Sequence, residues 1–148
     1  MEWEKGRLQG ALMTATSRRK KTISFCFRGF DMAPSDVEVL VGLKASLILE
    51  KGKPVRPGMK TLVVRSAISY RIEVESDFRV AEMIPKLFDH LGGVDRLIGA
   101  RDTVQPEFLE INLALPVKRS KEQEGGALER ETIAELARLG ASVSFTFL

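Results

Sequence analysis

Residues 22–43, TISFCFRGFDMAPSDVEVLVGL, restrict this chain to few folds. Ile23, Phe25 and Phe27 alternate with Ser24, Cys26 and Arg28, the period-two pattern of a strand with one buried face. Gly29, Asp31 and Pro34 interrupt that pattern, and Val37, Leu40 and Val41 then recur at helical spacing up to Gly42. Glycine tolerates the left-handed conformation with which helices commonly end. A half-apolar strand followed at once by a helix with an apolar stripe leaves two surfaces that cannot stay wet, so further strands must cover them.

The rest of the chain supplies those strands. The first helix has two candidate starts: Pro34 suits the first helical position, and Ser35 with Glu38 has the form of a capping box one residue later. Residues 45–51 read as a short extended run and 52–58, GKPVRPG, as a loop, because paired prolines and glycines punctuate the chain. Extended runs are expected at 61–65 and 67–75, where Ile68, Tyr70, Ile72 and Val74 alternate with Ser69, Arg71, Glu73 and Glu75. Ser76 and Asp77 are suitable caps for a second helix, which buries Ala81, Ile84, Leu87, Phe88 and Leu91. Pro85 predicts that this helix starts near Glu82 or bends. Gly92 and Gly93 stop it, and residues 94–100 read as a further turn or two.

In residues 108–117, Leu109, Ile111, Leu113 and Leu115 oppose Glu110, Asn112 and Ala114. Pro116 places that strand at an edge or ends it. After the polar linker RSKEQEGG, a helix over 127–139 is expected to bury Leu128, Ile133, Leu136 and Leu139. The chain closes with Val143, Phe145 and Phe147 alternating with Ser142, Ser144 and Thr146. The order is β-α-β-β-α-β-α-β. The expected class is α+β: a ferredoxin-like β-α-β-β-α-β core extended by a C-terminal helix and strand, with a mainly antiparallel sheet and the helices on one face.

Length and charge divide the chain into a basic N-terminal arm, 1–21, and a single α+β domain, 22–148. The whole has 148 residues and a net charge of +3. The arm holds six basic against two acidic residues, whereas residues 22–148 hold 17 basic and 18 acidic ones. A domain that tracks phosphates is expected to carry its charge on the folded surface, so nucleic acid is disfavoured as a partner. Met13 is an alternative start within the arm. A lone cysteine fits a reducing cytoplasm, and no apolar run approaches the roughly 20 residues that cross a bilayer. The reading is cytoplasmic, with no membrane association.

The strand TISFCFRG, the corner and helix DMAPSDVEVLVGL, the glycine loop EKGKP and the ending LARLGASVSF together resemble the bacterial family known as domain of unknown function 4279. The resemblance covers residues 22–148. It departs where members open the strand after the loop with a tryptophan, which residues 67–70 lack, and where Phe30 separates Gly29 from Asp31. It implies a fold and a bacterial source, and it assigns no activity.

Catalytic constellations are not evident. His90 reads as a surface or half-buried helix residue, Cys26 as a small strand side chain, and no nucleophile elbow, phosphate loop or metal-ligand spacing is present. No cofactor is expected. If the helices cover the apolar face, the opposite face carries Ser24, Cys26, Arg28, Ser69, Arg71, Glu73, Glu75, Glu110, Asn112, Ser142, Ser144 and Thr146. RNA-binding sheets expose aromatics on the open face, and the strand phenylalanines here fall on the covered one. The expected function is a non-catalytic interaction or binding domain, using the open face or the 29–34 corner, with Arg28, Gly29, Asp31, Arg71 and Glu73 as contact residues. Its partner would be another protein or a second copy. The alternatives are a small-ligand regulatory module with its ligand near Gly29 to Asp31, or an enzyme of unrecognised type.

Overall fold

The computed structural model describes residues 20–116 and 126–148. Five strands and four helices follow one another: β1 (Lys21–Arg28), α1 (Pro34–Val41), β2 (Leu47–Leu49), β3 (Ala67–Val74), α2 (Val80–His90), α3 (Val94–Val104), β4 (Phe108–Leu115), α4 (Arg130–Leu139) and β5 (Ser142–Phe147). The class is α+β. One mixed sheet has the order β2-β3-β1-β4-β5; its first three pairings are antiparallel and β4–β5 is parallel.

The sheet has two unlike faces because strand side chains alternate. Ile23, Phe25 and Phe27 are fully buried, opposite Ile72, Tyr70 and Ile68 on one side and Leu113, Ile111 and Leu109 on the other. Phe25 and Phe27 meet edge to face at 4.9 Å, a favoured aromatic geometry. Helices close over this face with Val37 and Val41 of α1, Met83, Ile84, Leu87 and Phe88 of α2, and Leu97 of α3. The register places Ser24, Cys26, Arg28, Ser69, Arg71, Glu73, Glu110, Asn112, Ser142, Ser144 and Thr146 on the opposite face. Glu75 lies beyond the end of β3, next to Lys20 at 3.5 Å.

Several local expectations need correction. The helix α1 starts at Pro34, and the Ser35–Glu38 capping box does not form: Ala33 holds the cap position, and the Glu38 carboxylate accepts from Ala45 N–H at 2.7 Å. That bond ties the chain leaving α1 back to the helix. Ser76 and Asp77 do not cap α2; Arg79 takes that place, and the helix runs through Pro85. Residues 94–100 belong to a full 11-residue helix, α3. The first strand takes in Lys21, a buried residue whose ammonium donates to the Phe78 carbonyl at 2.6 Å. Residues 1–19 and the linker 117–125 lie outside the described residues.

The short run 45–51 contracts to the three residues of β2, and 61–65 forms no sheet strand. It folds back on 52–55 instead, through an antiparallel bridge between Pro54 and Leu62 and the bond from Val63 N–H to Lys53 C=O. The helix α4 begins at Arg130, and Ile133 is 54% exposed. Phe145 and Phe147, on the covered side by register, are also largely exposed and stack on one another at 6.5 Å.

Removing the ring at the centre of the core tests this architecture. Phe25→Ala is expected to lower unfolding stability by about 3–5 kcal/mol, the usual loss for a buried phenylalanine, read as a shift of the urea midpoint at unchanged slope.

Candidate functional site

One end of the sheet gathers the chemically active side chains. There β1 ends at Arg28, opposite Ala67 of β3 and Phe108 of β4. The Arg28 guanidinium lies 4.4 Å from the centre of the Phe108 ring, and its Nε donates to Glu110 Oε1 at 2.9 Å. From the segment before β3, Arg65 approaches the same ring at 5.5 Å, and its Nε donates to Glu107 Oε2 at 2.9 Å. Cations over an aromatic face are drawn to its quadrupole. Phe108 is nevertheless 40% exposed. The result is a fixed aromatic–guanidinium cluster, rimmed by carboxylates, on the open face.

The backbone beside it is held closely. Gly29 N–H donates to Ser66 C=O at 2.8 Å, and Glu107 N–H donates to Gly29 C=O at 2.9 Å. With φ at +79° and a hypothetical Cβ only 2.8 Å from that of Glu107, this position requires glycine. Buried Ser66 accepts from Lys51 N–H through its hydroxyl at 2.9 Å. Residues 29, 51, 66 and 107, from four parts of the chain, are thus stitched together at the corner that follows β1.

That corner borders a recess of about 320 Å³ lined by residues that include Asp31, Pro34, Glu50, Lys51 and Ser66. Asp31 is exposed on its rim. Arg71 and Glu73 pair with each other at 3.3 Å, both well exposed. They sit toward the other end of the open face, since Arg71 lies opposite Ser24, four residues along β1 from Arg28. The five expected contact residues therefore form two groups: Arg28, Gly29 and Asp31 at one end, Arg71 and Glu73 away from them. Phe108, Arg65, Glu107 and Glu110 complete the first group. Phe108 shares its alternation with Glu110 and Asn112, a pattern that puts one aromatic on the open face, contrary to the expectation that every strand phenylalanine is covered.

Cys26 sits between these groups, opposite Ser69 and Glu110. Burial pushes its thiol up to about 11; the neighbouring Glu110 carboxylate adds to the rise and Arg28 offsets part of it. Burial, with a contribution from Glu38, also raises the Tyr70 phenol to about 12, and its hydroxyl donates to Leu43 C=O at 3.1 Å. His90 is exposed at the end of α2. No group of three metal-ligating side chains occurs among the described residues, and none of their helices is long and apolar enough to cross a membrane.

No protein-family model, curated protein or solved structure matches this chain.

A thiol held near 11 is a poor nucleophile at neutral pH, because the thiolate is the reacting species. Cys26 is expected to react with iodoacetamide about a hundredfold more slowly than a free cysteine at pH 7.5, and to regain the ordinary rate in denaturant. Folding favours the protonated thiol, so the associated stability is intact below the unfolded pKa and declines as the pH rises toward 11.

Proposed function

We propose that this chain is a binding domain that works without covalent chemistry and contacts its partner through the end of the open sheet face around Phe108. The observation that carries this reading is the exposed Phe108 ring held by Arg28 and Arg65. Aromatic and arginine side chains dominate the energetics of protein interfaces, and their geometry here is set before any partner arrives. The rim carboxylates Glu107 and Glu110 give such a surface polar selectivity. The proposal keeps a protein partner or a second copy as the occupant of this face, and a cytoplasmic setting.

The first four strands belong, on this proposal, to the ferredoxin-like arrangement. Support comes from the order β2-β3-β1-β4, with each neighbour antiparallel, to which β5 adds one parallel strand. Membership of the domain of unknown function 4279 family is proposed on the sequence motifs of residues 22–148 alone.

A second reading, a small-ligand regulatory module, is supported by the recess beside Asp31, Glu50 and Lys51. A thermal-shift screen of amino acids and nucleotides checks it: a hit abolished by Asp31→Asn or Lys51→Gln is expected, and a blank screen rejects this reading.

The principal test compares the proteins captured from a host lysate by the tagged wild-type chain and by its Phe108→Ser variant. At a site already 40% exposed, this change is expected to leave the fold intact and to lower recovery of the bound protein at least about tenfold, the cost of truncating an interface anchor. Identical captured sets from the two proteins would remove the proposed face.

A further inference from the structure

We propose that residues 51–65 form a basic arm that lies in the groove of duplex DNA. This names an additional partner for the binding reading above, at the same end of the sheet. Residues 51–65 contain Lys51, Lys53, Arg56, Lys60 and Arg65 and no acidic residue, while the rest of 22–148 holds 18 acidic against 12 basic side chains. The near-neutral total of the domain conceals this segregation.

The arm is built as a two-stranded ribbon. Gly52 N–H donates to Val63 C=O, Val63 N–H to Lys53 C=O and Val55 N–H to Thr61 C=O, at 2.8–3.0 Å. Met59 N–H closes the tip on Arg56 C=O at 3.1 Å, with Pro57 and Gly58 between them. Gly58 has φ at +82°, and proline followed by such a glycine is the residue pair of a type II turn. Every residue from 51 to 62 is exposed; Val63 alone is buried within the ribbon. At the base, Arg65 is fastened to Glu107 and Phe108, and Lys51 N–H to Ser66. A backbone-bonded ribbon is thus exposed from residue 51 to 62 and fastened at its base.

Its cations are unequally used. Lys53 pairs with Glu50 and Arg65 with Glu107. Lys51, Arg56 and Lys60 have no carboxylate within 4.0 Å among the described residues. Two of these three flank the tip. A two-stranded ribbon fits the major groove of B-form DNA, about 12 Å wide, whereas the deep, narrow major groove of duplex RNA excludes it. A membrane-seeking arm would lead with apolar residues. Here the leading residues are Arg56, Pro57, Gly58, Met59 and Lys60, and the arm's most exposed apolar side chain, Val64 at 74%, stands near the base.

Fluorescence anisotropy of the full chain on a labelled DNA duplex of about two helical turns tests the proposal. Three available cations predict a slope of log affinity on log salt of about −3, which is roughly a 40-fold loss between 50 and 200 mM salt. Arg56→Gln with Lys60→Gln is expected to flatten that slope to about −1 and to weaken binding at least about tenfold, with the melting temperature unchanged because both side chains are exposed. Absence of binding at low salt overturns the proposal. So does binding that survives the double variant but is lost in Arg18→Gln with Arg19→Gln, which would assign it to the N-terminal basic run. Arm-dependent binding to phosphatidylserine vesicles without binding to DNA overturns it in favour of a lipid surface. If DNA is not bound while Phe108-dependent capture persists, the arm's partner is wrong and the binding reading survives.

Discussion

Everything in this structure depends on β1 being paired along both edges. From Thr22 to Arg28 it faces β3 on one side and β4 on the other, with three fully buried side chains beneath. A shift of one residue would exchange the faces and drive Cys26 and Arg28 into the helices. Ile23, Phe25 and Phe27 make that slip prohibitive, since each would lose its burial together with its packing. The hydrophobic pattern of one strand thus decides which side of the whole sheet is polar. Arg28, Glu110 and Phe108 are held together on the open face as a consequence.

The last helix and strand are attached by different means. Arg101 of α3 donates through Nη1 to the carbonyls of Arg138 and Leu139, each at 2.8 Å. A cation placed there satisfies orphan carbonyls at the end of α4 and complements the helix dipole. Arg138 in turn reaches Asp95 at 2.6 Å. The crossover through α4 makes β5 parallel to β4. Asn112 Oδ1 then accepts from the hydroxyls of Ser144 and Thr146, at 2.8 and 3.1 Å. These side-chain bonds join the two strands on the polar face, while Phe145 and Phe147 on the other side remain largely exposed.

Where alternation was strict and long, the sequence predicted burial well. The three main strands, the faces of β1 and β3, and the buried stripe of α2 could all be read from periodicity. Short-range chemistry was harder. Ser35 and Glu38 have the spacing of a capping box, yet Glu38 bonds to Ala45, seven residues on, because the turn after α1 brings that N–H within reach. Ile133 has helical phase with Leu136 but faces solvent at 54% exposure. The candidate site was half legible. Arg28 and Gly29 stand out at a strand end, but Arg65 and Glu107 are 42 residues apart in sequence, and no local pattern announces that pairing. Arg71 and Glu73 lie on the open face but at a distance from the cluster, because sharing a face does not fix position along a strand.

Charge bookkeeping over a whole domain was the least informative guide, and the reason is geometric. The balance of 17 basic and 18 acidic residues in 22–148 says nothing of separation. Five cations and no carboxylate fall within residues 51–65, which fold into one exposed ribbon, and the rest of the domain keeps a surplus of carboxylates. On the DNA proposal, such a charge separation would orient the encounter before any contact forms, because a polyanion is repelled by the acidic majority and attracted by the ribbon. The fastened base then matters as much as the charge. A ribbon held by its own backbone bonds has already met much of the entropic cost of arranging its backbone, and the Arg65–Glu107 pair with the Lys51 N–H to Ser66 bond anchor its base.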